Sequence, residues 1–216
     1  IWKQYKQCQI HMKNELNFVI KNFLYFVLTG VICALVLGCI FLDLQYFKYV
    51  PERGFVEHTQ EVLIFLSASI FLYLAFKKNN SALWLVGGFL GCMFIRELDS
   101  VFDKIFHGAW LYVAIPFACL CILQAWKNGV EQIIHSLFEF MHTQAFTRLS
   151  SGLLAVLVFS RLIGYKPMWK LAMGKHYYWN VKFIAEEGTE LFGYSIIFLA
   201  AVEYASYLLN KGDSQN

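Results

Sequence analysis

The sequence has few charged residues for its length, and it lacks the common signatures of soluble catalysts. Charged side chains make up 15% of the 216 residues, hydrophobic side chains make up 58%, and the mean hydropathy is +0.50. This composition excludes an ordinary soluble domain, in which about a quarter of the residues are charged. No nucleotide-binding loop, Gly-x-Ser-x-Gly elbow or His-Glu-x-x-His zinc motif occurs. The composition predicts an integral membrane protein.

Two further absences narrow the possible partners and chemistry. The formal net charge is +3, but the 18 basic residues form no block or stripe of the kind that nucleic-acid binding requires. The six cysteines form no Cys-x-x-Cys pair, and five lie inside apolar runs, where small core residues are more common than disulfides or zinc ligands. We therefore expect membrane lipids as partners, with a second copy of the chain or other membrane subunits as further candidates, and no nucleic acid.

Apolar runs predict an all-α fold with about six transmembrane helices. The predicted spans cover residues 22–42, 57–76, 80–98, 108–126, 148–165 and 186–208. Between the fourth and fifth spans, apolar residues recur at helical spacing from Val130 to Ala145, which predicts one amphipathic helix at the membrane interface. Pro116 lies near the middle of the fourth span and should kink it.

The spans predict a single transmembrane bundle over residues 22–210. Residues 1–21 would form an N-terminal segment in the cytoplasm or at the interface, and residues 211–216 a polar C-terminal tail. Met12 is a plausible native start, so part of the first segment is a candidate for non-native sequence. An even number of spans puts both termini on one side, and Lys and Arg slightly favour the cytoplasm for that side. We expect the bacterial inner (plasma) membrane as the location.

Three of the apolar runs are too short to cross a bilayer unless charged residues are included. Their uncharged stretches cover only residues 62–76, 149–160 and 191–202, whereas a spanning helix needs about 20 residues. The missing turns contain ionisable groups, which cost at least ~2.5 kcal/mol each at membrane depth and are therefore candidates for function. The helical rise places four charged residues in one layer near the extracytoplasmic face, namely Glu61, Arg96, Arg161 and Glu190.

The second and sixth spans begin alike, because each has two glutamates four residues apart that lead into the apolar run. On helices that run in the same direction, these carboxylates would lie one turn apart. Several carboxylates with adjacent histidines are the ligand chemistry of metal centres in helix bundles. The predicted ligands of a divalent metal ion (Zn, Fe or Mn) are Glu57, His58, Glu61, Glu186, Glu187 and Glu190.

Charged residues beside this cluster are the predicted catalytic groups, namely Arg96, Asp99, His107 and Arg161. Arg96 or Arg161 would stabilise developing negative charge, His107 would bind the metal or carry protons, and the bound ion would activate water. The resulting hypothesis is a metal-dependent membrane enzyme, a hydrolase that acts on a lipid or another amphiphile.

Two other hypotheses fit the same residues. The carboxylates could carry protons or cations in a transporter or channel subunit, although the opposite half of the bundle has few polar residues beyond Glu203. Alternatively, Arg96 and Arg161 could each neutralise a glutamate, so that the charges form a structural ion-pair network in a non-catalytic membrane subunit. The residue pattern leaves all three hypotheses open.

Overall fold

The computed structural model describes residues 2–51 and 53–213, and within these ranges all regular secondary structure is helical. A π-helical turn, Ala155–Phe159, joins α7 to α8, and a 3-10 turn, Gly174–His176, follows α9. The α-helices in chain order are α1 (Trp2–Phe47), α2 (Phe55–Lys78), α3 (Ser81–Glu97), α4 (Asp99–Phe102), α5 (Trp110–Trp126), α6 (Val130–Met141), α7 (Gln144–Leu154), α8 (Ser160–Ile163), α9 (Lys166–Met173) and α10 (Trp179–Asp213). The predicted all-α fold is confirmed.

Several of these helices have the length and composition of membrane spans. Four single helical stretches are long and apolar enough to cross a membrane. Taken together, α5 and α6 are also long and apolar enough, but they are bent by 98° relative to each other, so the pair is a fifth candidate. α3 has 17 residues and is about 26 Å long, which is less than the ~30 Å of a bilayer's hydrocarbon core. The structure therefore supports four to five candidate spans where the sequence predicts about six. The four single helical stretches are Glu15–Phe47, Phe55–Lys78, Gln144–Ile163 and Trp179–Leu209.

The sharp change of direction after α5 occurs at a glycine and not at the proline. α5 continues through Pro116, and the chain turns at Gly129, whose φ of +83° is in the left-handed region that favours glycine. α6 follows at once and corresponds to the predicted amphipathic helix. Its apolar residues Ile134 and Phe138 are exposed, as expected of a helix that turns its apolar face toward lipid.

The ends of the chain are more helical than the predicted domains suggest. α1 runs without a break from Trp2 to Phe47, so residues 2–21 continue directly into the first span. α10 extends to Asp213, which lies inside the predicted tail. Residues 214–216 of that tail lie outside the described residues.

Polar contacts at the two ends of the bundle establish the directions of the helices. At what we call the outer end, Asp43 of α1 bonds the first turn of α2, and Arg161 of α8 pairs with Glu190 of α10. At the opposite, inner end, Glu203 of α10 pairs with Lys21 of α1 and with Arg148 of α7. α1 and the α7–α8 segment therefore run from the inner to the outer end, and α2 and α10 run back.

The apolar core lies between α2, α3, α7 and α10. It is built around large side chains that are fully buried, such as Ile64, Phe71, Leu90 and Tyr194. Nearer the inner end, the ring of Phe140 packs edge-on against Tyr204, with ring centroids 4.8 Å apart. These contacts hold the long helices in a fixed register, which positions the charged residues at their ends.

α7 and α10 approach each other closely through two glycines. A methyl group added at Gly152 would lie 2.8 Å from the carbonyl oxygen of Gly193, and one added at Gly193 would lie 3.0 Å from the carbonyl oxygen of Gly152. Small residues at such a contact allow two helix backbones to pack together. Because α8 continues from α7, the contact brings Arg161 against the first turns of α10.

Candidate functional site

A cavity of about 130 Å³, here called the outer cavity, lies at the outer end of the bundle. Residues of α2, α3, α8 and α10 contribute to it, together with the loop that follows α1. Its lining is mostly polar or charged, with three apolar residues. The lining residues are Val50, Pro51, Glu57, Gln60, Glu97, Arg161, Phe183, Glu187 and Glu190.

A buried aspartate from α1 fixes the first turn of α2. The carboxylate oxygens of Asp43 accept hydrogen bonds from the backbone N–H groups of Phe55 (2.7 Å) and Val56 (3.0 Å). These N–H groups are among the four that a helix N-terminus leaves without intrahelical partners, so Asp43 caps α2 from a different helix. Because Glu57 lies in the same turn, its position at the outer cavity depends on α1.

Gln60 connects α2 to α10 inside the cavity wall. Its side-chain amide nitrogen donates to the backbone carbonyl oxygen of Glu187 (3.0 Å) and to the carboxylate oxygen Oε2 of the same residue (3.2 Å). Gln60 is buried, so its side chain has little conformational freedom. The two bonds therefore orient the Glu187 carboxylate.

At the outer end of α10, Arg161 pairs with Glu186 and Glu190, and Lys182 pairs with Glu186. The Arg161 guanidinium lies 3.0 Å from Oε1 of Glu190 and 3.3 Å from Oε1 of Glu186. Lys182 also pairs with Glu186, one turn away on the same helix. Gly164 leaves room for this arrangement, because a methyl group at that position would lie 2.6 Å from the Glu186 carboxylate.

Glu97 enters the cavity from the end of α3. One of its carboxylate oxygens, Oε1, accepts a hydrogen bond of 2.5 Å from the hydroxyl of Tyr194, which is fully buried in α10. Arg96, the preceding residue, is exposed, because neighbouring residues on a helix point about 100° apart. The hydrogen bond from Tyr194 therefore orients Glu97, and not Arg96, toward the cavity.

The outer cavity has more acidic than basic groups. Four of its lining residues are glutamates, and Glu186 is ion-paired at its edge. Apart from Glu57, this set comprises the carboxylates of Glu97, Glu186, Glu187 and Glu190. Among the described residues, Arg161 and Lys182 pair with members of this set, so it has two more carboxylates than cations. Like charges that are held together away from water repel one another, so the cavity favours a bound cation or protons.

Five of the predicted site residues lie at or beside the outer cavity. Glu57, Glu187, Glu190 and Arg161 line it, and Glu186 is ion-paired at its edge. The vertical positions predicted from helical rise therefore hold for the contacts between α8 and α10. The functional roles predicted for these residues remain predictions.

The other five predicted site residues do not line the cavity. Glu61 is half-buried one turn deeper than Glu57, and Arg96 and Asp99 are exposed. The exposed ring of His58 bonds the carbonyl oxygen of Gly54 at 2.9 Å, within its own turn. His107 is 97% exposed and pairs with Asp103 in the segment after α4.

The predicted metal ligands do not form a metal-binding group. Among the residues whose side chains the structure describes, no group of three or more His, Cys, Asp or Glu side chains has an arrangement that could hold a metal ion. The predicted ligands have other partners: Glu187 accepts a hydrogen bond from Gln60, Glu186 and Glu190 are ion-paired with Arg161, and the His58 ring lies against the backbone carbonyl of Gly54. The structure therefore gives no support to the predicted Zn, Fe or Mn centre.

Four residues of the site have no predicted role. Gln60 and Tyr194 are uncharged members of apolar helices, and their polar partners come from other helices, so the sequence alone gives no signal for them. Glu97 follows the predicted residue Arg96, and only the rotation of α3 about its axis determines which of the two faces the cavity. The ion pair of Lys182 with Glu186 was predictable from the sequence. The two residues are four positions apart, and opposite charges at this spacing on a helix form ion pairs.

A second polar group, the inner cluster, consists of Lys21, Tyr25, Arg148 and Glu203. The carboxylate of Glu203 is buried and pairs with Lys21 at 3.2 Å and with Arg148. The Arg148 guanidinium lies 4.1 Å from the ring centroid of Tyr25, which is cation–π geometry. The inner cluster therefore has one carboxylate for two cations, and it joins α1, α7 and α10.

Asp103 and His107, four residues apart, form a pair away from the cavity. Nδ1 of His107 lies 2.9 Å from Oδ2 of Asp103, and the backbone N–H of Gly108 donates to Oδ1 at 3.0 Å. The Gly108 N–H, followed by the His107 ring, holds the pKa of Asp103 below its ordinary value. The pair stabilises the turn before α5.

Comparison with protein-family models, curated proteins and solved structures finds no match to this chain.

Proposed function

We propose that this chain is an integral membrane protein whose outer cavity binds a small organic cation, an alkylammonium group. Membrane insertion is supported by the four candidate spans and by the apolar side chains that they expose. On α1, for example, Leu35, Leu37 and Phe41 are each more than 60% exposed. Such a surface is costly in water and stable against lipid.

We further propose that α3 and α5, with 17 residues each, are short spans that complete a bundle of six. Bilayers adapt to short spans at modest cost. The slight excess of Lys and Arg at one side supports termini in the cytoplasm, and the location proposed from the sequence is the bacterial inner (plasma) membrane. The outer cavity would then open toward the extracytoplasmic side.

The observation that carries the proposal is the excess of carboxylates around the outer cavity. Apart from Glu57, four carboxylates and two cations lie at this cavity among the described residues. A bound cation would lower the repulsion among the carboxylates, and it would gain from the low local dielectric constant. Arg161 and Gln60 hold Glu190 and Glu187 in place, so little ordering is needed when a ligand binds.

An ammonium group suits this cavity better than a metal ion. A metal ion needs several ligand atoms at closely defined distances around one point, and the described residues offer no such group. An ammonium group donates up to three hydrogen bonds in separate directions, which matches carboxylates that come from α2, α3 and α10. The three apolar lining residues, Val50, Pro51 and Phe183, would contact the alkyl part.

The interior of the bundle supports cation binding at the outer cavity and not ion conduction through the bundle. Below the cavity, the core between α2, α3 and α10 is filled by Ile64, Leu90 and Ile197. The hydroxyls of Ser67 and Ser195 both donate to backbone carbonyls of their own helices, at 2.7 and 2.8 Å. Conduction would require polar groups that are free to contact an ion along the whole path, which counts against the transporter hypothesis.

Thermal unfolding in mild detergent tests the proposal, because a ligand that binds only the folded protein raises Tm. The probes are methylammonium, tetrabutylammonium, Zn²⁺ and Mn²⁺, added as chlorides at constant ionic strength. We expect a saturable rise in Tm with methylammonium, equivalent to about 2.7 kcal/mol at 100 times its Kd. The rise should be absent in Glu187→Gln and unchanged in Glu131→Gln, which removes an exposed glutamate of α6.

Each other outcome has a defined meaning. Equal rises in wild type and Glu187→Gln, or no rise in either, would overturn the ammonium site. A rise with tetrabutylammonium of the same size would show a general effect of organic cations. Saturable stabilisation by Zn²⁺ or Mn²⁺ that is lost in Glu190→Gln would instead support the metal-dependent enzyme predicted from the sequence.

A further inference from the structure

An apolar groove of about 290 Å³ lies between the middle of α1 and the neighbouring helices α2 and α10. Its walls run from Leu28 to Cys39 on α1, from Thr59 to Leu63 on α2, and from Leu191 to Leu199 on α10. The hydroxyls of Thr59 and Ser195 donate to backbone carbonyls of their own helices, at 2.6 and 2.8 Å. The polar atoms of the lining are therefore already satisfied, and the surface offered to a ligand is hydrocarbon.

Contacts at both ends hold α1 beside this groove. At the outer end, Asp43 caps α2, and Ile40 packs with Val56 and Leu191 in a small apolar cluster. At the inner end, Lys21 pairs with Glu203. These contacts hold α1 beside the groove at both of its ends.

The length and level of the groove correspond to one leaflet of a bilayer. The stretch from Leu28 to Cys39 is about 16 Å long by helical rise, roughly half the ~30 Å hydrocarbon thickness. Its outer end lies near the outer cavity, since Thr59 is next to Gln60 and Leu191 is next to Glu190. All three walls belong to candidate membrane spans, so the medium outside the groove would be lipid tails.

We propose that the groove binds one acyl chain of a membrane lipid from the leaflet on the side of the outer cavity. The chain would fill the space between α1 and the α2–α10 pair, and its headgroup would lie at the level of the outer cavity. This inference rests on the membrane location proposed above, but it does not require that the cavity bind an ammonium group.

Two cysteines on α1 give a matched test. Cys39 is half-buried and lines the groove, whereas Cys33 is exposed. The chain is purified in mild detergent from membranes, and the phospholipid that remains bound is measured by mass spectrometry. We expect wild type and Cys33→Trp to retain about one equivalent of phospholipid, the number that one leaflet-long groove accommodates. Cys39→Trp should lose it, because the indole occupies the groove.

Equal retention in the two tryptophan variants, or no retained lipid in wild type, would overturn the proposal. If Cys39→Trp does not fold, Leu199→Trp fills the groove from α10 instead. A measurement on wild type needs no variant: the chain is reconstituted in phosphatidylcholine vesicles that contain a phosphatidylcholine with a photoreactive diazirine in one acyl chain.

Crosslinks concentrated on Cys39, Ser195 and Leu199 support the proposal. Crosslinks spread evenly over exposed residues such as Leu37 and Phe41 contradict it. Methylammonium binding, measured by Tm in Cys39→Trp, distinguishes the two proposals, since it should survive the loss of lipid.

Discussion

The two ends of the bundle both contain buried glutamates, but their charge balance is opposite. At the inner cluster, Glu203 has two cationic partners and an aromatic ring beside them. At the outer cavity, Glu57 apart, four carboxylates lie beside two cations, Arg161 and Lys182. The inner cluster also joins three helices directly, whereas the outer carboxylates surround a space.

Under the proposed function, this difference distinguishes a structural role for the inner cluster from a binding role for the outer cavity. A carboxylate whose charge is fully matched by nearby cations contributes to holding helices together, and removing it leaves those cations without a partner. Carboxylates in excess repel one another, so removing one relieves repulsion. Ionisable groups at membrane depth are candidates for function in general, and the comparison indicates that here only the outer set fits that description.

The largest expected effect is the loss of stability in Glu203→Gln. The substitution leaves Arg148 without a carboxylate in a largely buried position, and we expect the free energy of unfolding to fall by about 2–3 kcal/mol, a range that allows for the half-exposed Lys21. Glu187→Gln is the matched change at the other end, and it should not lower stability. Denaturant unfolding in detergent measures both, and equal losses would remove the distinction between the two ends.

Arg161→Met should have a smaller effect on stability and a visible effect on binding. Arg161 is 47% exposed, so solvent weakens its pairs with Glu186 and Glu190, and we expect a loss of about 1 kcal/mol. Removing this cation raises the carboxylate excess from two to three, so methylammonium should bind several-fold more tightly. Lys170→Met, at an exposed lysine of α9, is the control. Weaker methylammonium binding in Arg161→Met would mean that the guanidinium contacts the ligand.

The smallest expected effect concerns Asp103→Asn, outside both charged groups. Because the pKa of Asp103 is lowered in the folded protein, its contribution is present above its ordinary pKa and is lost as pH falls through the folded value. The side chain is exposed, so global unfolding should not change measurably. Hydrogen exchange at the Gly108 amide should be slower in wild type than in Asp103→Asn at neutral pH. Equal exchange rates would show that the carboxylate does not order this turn.

Much of the fold follows from the sequence, because apolar runs of about 20 residues are typical of long helices. The level of a residue along the bundle is also predictable, since rise per residue is nearly constant. That is why Arg161 and Glu190, predicted at one level, are ion-paired. Span number is less predictable, because α3 is a few residues shorter than a full span and α5 bends into α6.

The direction in which a side chain points around its helix was not predictable. Arg96 and Glu97 share a level, and only the position of Tyr194 decides which one faces the cavity. The cap that Asp43 provides for α2 was also not predictable. It joins α1 to α2, so it can be recognised only when the positions of both helices are known. Predictions based on spacing within one helix cannot include contacts of this kind.

The π-helical turn Ala155–Phe159 determines where Arg161 points, although none of its side chains is polar. A π-helical turn holds one more residue than an α-helical turn and is often found at functional sites. Deleting one residue from it would rotate Arg161 by about 100° relative to α7, away from Glu186 and Glu190. The arginine of the outer cavity can therefore be gained or lost in evolution through a change in chain length, with every cavity residue left unaltered.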